Sequence, residues 1–202
     1  MSTTNRPRPR WIQVLREDLR TAAEKDPSIT STRHALMHQG VHGVWLHRLA
    51  QRLQLMRAPL AARWVAYANR VLTGIDVNPG AMIGRRVFID HGAGVVIGET
   101  AVIEDDVMIY HNVTVGSVGW WRDGSTNERR HPYIQARTVL CTGALILGAI
   151  VVGRNCIIGA NTVVLADVPD GTRVPAGTLW RTTPGSSVES TAATPPKEDK
   201  IP

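Results

Sequence analysis

The sequence predicts an α+β chain in which a short helical segment leads into a parallel β-solenoid. Three observations predict it. Apolar residues recur at helical spacing up to about residue 74. From residue 75 the period becomes six, and a fixed short period marks turns that stack and bury one continuous core. The composition of the 202 residues suits thin turns: 43% is hydrophobic but only 5% is aromatic, so Ile, Val, Leu and Ala must fill the core.

The elements follow in order. Residues 1–10 are Pro- and Arg-rich and read as a disordered arm. Trp11, Val14, Leu15, Leu19, Ala22 and Ala23 share one face of a helix over 11–25. Asp26-Pro27-Ser28 breaks it. A second helical stretch runs from Thr32 to Met56 with Leu36, Val44, Trp45, Leu49 and Leu53 as its stripe, weakened by Gly40 and Gly43. Pro59 opens a third helix, which Gly74 ends. The helical segment is thus 11–74, and the solenoid runs over 75–184.

The six-residue series is Val77, Ile83 and Ile89; then, after a two-residue slip, Ile97, Ile103, Ile109 and Val115; then Ile134, Leu140, Ile146, Val152, Ile158 and Val164. A smaller set lies four residues on: Ala81, Val87, Ala93, Ala101, Val107, Val113, Ala144, Ile150, Cys156, Thr162 and Val168. Residues 116–133 interrupt the repeat with a polar stretch containing Trp120 and Trp121, which reads as one extruded loop. Residues 185–202, rich in Ser, Thr, Pro and Lys, read as a disordered tail.

The net charge of +6 suits an anionic small molecule better than nucleic acid, because no aromatic-plus-basic RNA motif or zinc finger accompanies it. Cys141 and Cys156 both fall within the repeat and make no disulfide framework. No apolar run is long enough to span a membrane, and the first residues do not read as a signal peptide. The expected location is the cytoplasm.

Three hexads make one triangular turn. Ile109 then lies over Ile89, His111 over His91 and Tyr110 over Asp90, about 4.8 Å apart. His131 closes the extruded loop and returns near a histidine-bearing corner, of its own subunit or of a neighbour. Outward imidazoles at corners suit proton transfer near neutral pH. A zinc site is disfavoured, since His91, His111 and His131 are each twenty apart and no His-x4-His pair occurs. No metal is expected.

The run GIDVNPGAMIGRRVFIDHGAGVVIGETAVIEDDVMIYHNVTVG, the later RRHPYI and the preceding EKDP resemble the serine O-acetyltransferases, over about residues 11–180. The resemblance implies a left-handed hand for the β-helix of hexapeptide repeats, an exception to the usual crossover rule. It implies transfer of acetyl from acetyl-CoA to the L-serine hydroxyl, by direct attack and in the service of cysteine biosynthesis. His91 would be the general base and Asp76 the carboxylate that orients it. Asp90, Arg130 and His131 would hold the amino acid's charged groups, and Asp26 would reach in from a neighbouring subunit. Gly116, Ser117, Thr142 and Ala160 match positions along the CoA groove. A homotrimer or a dimer of trimers is implied, with no nucleic acid or membrane partner.

The chain also departs from the pattern. Asn78 replaces a family histidine, Gly116-Ser117-Val118 replaces a GGT run, and AGTLWRTTPG replaces AGxPAR. These changes keep homoserine, a sugar or an antibiotic hydroxyl open as acceptor. The Trp pair suits packing on a neighbour or contact with a ligand. Ile201 is followed by Pro202, which leaves docking to a cysteine synthase partner open.

Overall fold

The structure is a computed structural model and describes residues 11–119, 128–181 and, as backbone, 189–192. The expected arm 1–10, Trp120, Trp121 and most of the tail lie outside the described residues.

Four helices come first: α1 (Trp11–Lys25), α2 (Thr32–Ala35), α3 (Gln39–Leu55) and α4 (Pro59–Thr73). The stretch expected as one helix from Thr32 to Met56 is therefore two. Ser31 caps α2 by accepting from the His34 N–H, and the chain turns through Leu36–His38 before α3 starts. The reason lies at Gly40. A Cβ there would stand 1.8 Å from the Ile89 carbonyl oxygen, so the start of α3 is pressed onto the solenoid backbone and cannot continue the α2 axis. The apolar stripe is also rotated from the expected one. Leu36 and Leu49 are exposed, whereas Gly40, Val41, Gly43, Val44, His47 and Ala50 are buried, because small residues permit the close approach. Gly74, with φ 73°, closes α4 in the left-handed conformation.

The solenoid has about five turns of parallel strands and is of the left-handed β-helix type. The first turn carries β1 (Asp76–Val77), β2 (Met82–Ile83) and β3 (Phe88–Ile89), and the second β4 (Val96–Ile97), β5 (Val102–Ile103) and β6 (Met108–Ile109). The third carries β7 (Thr114–Gly116), β8 (Tyr133–Ile134) and β9 (Val139–Leu140), and the segment expected as an extruded loop falls between β7 and β8, with residues 120–127 outside the described ones. The fourth carries β10 (Leu145–Leu147), β11 (Val151–Val152) and β12 (Ile157–Ile158). The fifth carries β13 (Val163–Val164), the Val168 bridge to Val152 and β14 (Arg173–Val174). β15 (Thr178–Arg181) and β16 (Glu189–Ala192) end the described chain.

Three sheets form the faces of the prism. Face A is β1-β4-β7-β10-β13-β15-β16, face B is β11-β8-β5-β2, and face C is β14-β12-β9-β6-β3. Register follows the hexads: Ile89 pairs with Ile109, Ile109 with Leu140, and Ile97 with Val115. Every residue of the main six-residue series is buried. In the second set Ala93 is exposed and Val95 takes its place, because the two-residue slip falls in the corner between them. Thr138, absent from the expected set, is wholly buried, and its hydroxyl donates to the Gly153 carbonyl at 2.7 Å. The tail expected to be disordered contributes β16, which pairs antiparallel with β15 at the otherwise open end of face A.

The helices cover the first two turns of face C. Phe88 points away from the solenoid core and is buried among Ala22, Ala35 and Val41, with Leu19, Ile29, Trp45 and Met108 around it. Arg48 ties the layers together through Asp18 at 3.1 Å and the Gly84 carbonyl at 3.1 Å. This packing brings the α1–α2 turn and the start of α3 to the corner after β3. Among the described residues no helix is long and apolar enough to cross a membrane.

Candidate active site

His91 stands at the corner where face C passes into face A. Its side chain is 71% exposed, and its backbone has φ 60°, the left-handed conformation that only a few per cent of non-glycine residues adopt. The Gln39 side chain donates to the His91 carbonyl, so the first residue of α3 holds this corner. His91 Nε2 lies 3.8 Å from Asp90 Oδ1, and the ring meets His111 edge-on at 5.9 Å between centroids. The expected stacking of His111 on His91 is therefore present.

Two acidic groups and a second imidazole surround that corner. Asp90 is mostly buried, and His38 Nε2 is 3.9 Å from its Oδ1. The same His38 nitrogen is 3.9 Å from Asp26 Oδ2. Asp26 also accepts from the Ser28 N–H at 2.8 Å, and the Ser28 hydrogen bonds hold its carboxyl below the usual aspartate value. Asp26 therefore reaches the His91 corner of its own chain, where a neighbouring subunit had been expected to supply it. The reason is the packing of α1 against β3, which leaves the Asp-Pro turn beside that corner. The Asp26, His38 and Asp90 ligand atoms lie within 4.8 Å of one another and could hold a cation. His38 was not singled out from sequence. Its signal was a histidine two residues before the glycine on which α3 docks.

Asp76 leads β1, one rung below Val96. Its carboxylate pairs with Arg70 at 3.4 Å, and among the described residues the carboxylate paired with His91 is that of Asp90. The corner is nonetheless close: Ile75, next to Asp76, lies 2.6 Å from where a Cβ of Gly92 would be.

Arg130 and His131 are on a different edge, where face A passes into face B. The His131 ring covers Gly98 so closely that a Cβ there would be 2.0 Å from it. The Thr100 N–H donates to His131 Nδ1 at 3.2 Å, which leaves the ring proton on Nε2. The Thr100 hydroxyl accepts from the Arg130 and His131 N–H groups at 3.0 and 3.1 Å. The Arg130 guanidinium pairs with Glu99 at 2.6 Å. Thr100 thus anchors the return of the loop, and sequence reasoning missed it because its role depends on which rung the loop rejoins.

The expected CoA positions divide in the same way. The Thr142 carbonyl accepts from the Asn161 N–H at 2.9 Å, and that of Ala160 from the Gly177 N–H at 2.8 Å, in the column above His91 and His111. Gly116 ends β7 and Ser117 follows it on the other edge, where the Gly116 carbonyl accepts from the Gly148 N–H at 3.0 Å. Face A therefore separates one edge carrying His91, His111, Thr142 and Ala160 from another carrying Arg130, His131, Gly116 and Ser117.

No protein-family model matches the chain. It is 46% identical to a serine acetyltransferase of Mycobacterium tuberculosis over 159 residues, which are 78% of this chain and 67% of that one. Against the Bacillus subtilis serine acetyltransferase it is 42% identical over 161 residues, 79% of this chain and 72% of the other. Among solved structures it resembles the Brucella abortus serine acetyltransferase in complex with coenzyme A, with TM-score 0.79, 33% identity and coverage of 93% of this chain and 70% of that one. It also resembles the soybean serine acetyltransferase complexed with serine, with TM-score 0.75, 33% identity and coverage of 89% and 68%. With more than 40% identity to these curated relatives over about four fifths of its length, the chain belongs to the serine acetyltransferases, a family of acyltransferases.

Proposed function

We propose that this protein transfers the acetyl group of acetyl-CoA to the side-chain hydroxyl of L-serine, giving O-acetyl-L-serine for cysteine biosynthesis in the cytoplasm. The observation that carries the reading is the exposed His91 imidazole beside Asp90, on a corner that the helices brace. His91 takes the hydroxyl proton as the oxygen attacks the thioester carbonyl. The tetrahedral intermediate then expels the CoA thiolate, which leaves as a thiol once it is protonated. A positioned base supplies roughly 10²–10⁴-fold in rate to such a step.

Asp90 and Asp26 attract the substrate ammonium, while Arg130 and His131 attract its carboxylate. Asp76 serves as the second carboxylate of the site. Its pair with Arg70 is solvent-exposed, so exchange of the carboxylate onto the imidazole costs little. CoA runs along the two edges of face A, past Thr142 and Ala160 on one and Gly116 and Ser117 on the other. Since those edges are separated by a whole face, the reading requires neighbouring prisms to lie side by side, and the homotrimer that the family resemblance implies is the assembly we take for it. A dimer of trimers and a docked cysteine synthase are compatible with it.

The test is CoA release from acetyl-CoA with L-serine, L-homoserine, sugar and aminoglycoside acceptors in parallel. L-serine should have the highest kcat/KM. No turnover with any amino acid would overturn the reading, and preference for a sugar or an antibiotic would replace it.

A further inference from the structure

The ring of His38 packs on the helical layer, but its nitrogens have no structural task there. His38 occupies the N-cap position of α3, where Ser, Thr, Asp or Asn usually satisfies a free N–H, yet it makes no cap hydrogen bond. Its ring leans on Phe88 at 5.2 Å between centroids, and the side chain is 13% exposed. Among the described residues its Nδ1 is buried without a hydrogen-bond partner, and its Nε2 faces both Asp26 and Asp90. At 3.9 Å neither approach is a hydrogen bond. The three ligand atoms instead lie within 4.8 Å of one another, with Asp90 Oδ1 3.8 Å from His91 Nε2.

We propose that His38 is the third acceptor for the α-ammonium of the amino-acid substrate, with Asp26 and Asp90 as the other two, and so determines which acceptors bind. The inference rests on the serine reading above. A primary ammonium has three N–H donors and needs three acceptors. Edges of 3.9 Å and at most 4.8 Å leave room for one nitrogen hydrogen-bonded to all three at ~2.8–2.9 Å. A transition metal, bonded at ~2.0–2.1 Å, would require the three side chains to close in. His38 accepts through Nε2 in its neutral form, with the ring proton on Nδ1.

The arrangement also makes binding depend on pH. A protonated His38 would itself neutralise both carboxylates and repel the ammonium. Burial holds its pKa below the ordinary imidazole value, against the pull of Asp90 and Asp26, and the charges of His91 and His42 act in the same direction as burial. Serine affinity should therefore be full above the ordinary imidazole range and fall as acid protonates His38. Acetyl-CoA affinity should not follow.

The test compares wild type with His38→Phe, which keeps the ring on Phe88 but removes the acceptor, and His38→Gln, which keeps an acceptor. Melting midpoints establish that both variants fold. His38→Phe should raise the KM for L-serine at least about tenfold, with kcat falling less than about threefold, as expected for a lost hydrogen bond to a charged group. The inhibition constant of β-hydroxypropionate, which has the hydroxyl and carboxylate but no ammonium, should stay within about twofold. His38→Gln should retain most of the affinity and lose the acid rise in serine KM. Wild-type turnover with an unchanged serine KM in His38→Phe overturns the inference alone, and so do equal losses for serine and β-hydroxypropionate. A wild type inert toward serine overturns the function and this inference with it.

Discussion

The two edges that border face A differ in how they are built. The edge that carries His91 is braced from outside: α3 lies against it, Gln39 holds the His91 carbonyl, and Asp26 and His38 reach it from the helical layer. The edge that carries His131 is held from within the solenoid. There Thr100 binds the returning loop, and the bare Gly98 makes room for the ring. One edge holds the groups proposed for the base and the ammonium, the other those proposed for the carboxylate. On that reading neither makes a site alone, and one prism would carry two half-sites to be completed by neighbours.

Breaking the first edge should have the largest effect. His91→Ala should lower kcat at least about 100-fold while circular dichroism and the melting midpoint show a folded chain. Near-normal turnover would remove His91 as the base. The converse experiment sharpens the comparison. Co-assembled His91→Ala and His131→Asn chains, each inactive alone, should regain about a quarter of wild-type activity, the share of sites that join one intact half from each chain. No recovery would mean that both halves act within one chain.

Acid should loosen the brace of the first edge. His47 is buried between α3 and the solenoid, and burial, then the charge of Arg48, lower its pKa to about 4, with the Ala81 carbonyl offsetting only part. The unfolded chain therefore takes up this proton first. The stability is fully present above the ordinary value of 6.5 and is lost as pH falls toward 4, by about 3 kcal/mol in all. Denaturation midpoints measured from pH 7.5 down to about 4 should show this slope, and His47→Leu should flatten it. An unchanged slope in the variant would assign the acid loss to other groups.

Gly98→Ala should damage the second edge and spare the first. The added methyl displaces the His131 ring from Thr100, so kcat/KM for serine should fall about tenfold, with little change in melting midpoint. The smallest effect is expected at a corner remote from both edges. Arg86 and Asp106 form a 2.6 Å pair, but both side chains are about a third exposed, and Arg86→Gln should cost under about 1 kcal/mol.

The solenoid was legible because its constraint is periodic. Each aliphatic residue of the six-residue series must fill the same triangular core, so Ile89, Ile109 and Leu140 announce their stacking by spacing alone. The register put His111 on His91 for the same reason. Misplacement began where the period fails. Ala93 was assigned inward because the slip at the His91 corner cannot be located by counting. The helical layer was harder still. Its split at Leu36–His38 follows from the closeness of Gly40 to the Ile89 carbonyl, a tertiary contact with no local signature. His38 and Thr100 were missed because each acquires meaning only from a partner distant in sequence.

The backbone at His91 has a further consequence. Along the same edge the other left-handed residues are Gly74, Gly92, Gly94, Asn112, Gly143, Asn161 and Gly177. These are the types that tolerate such a corner cheaply, whereas an imidazole there costs on the order of 1–3 kcal/mol. A glycine at position 91 would thus relieve the fold while abolishing the chemistry, and the inert variant should melt higher than the active protein. Thermal stability and turnover pull in opposite directions at this one residue. A screen that rewards heat resistance alone would be expected to discard the histidine.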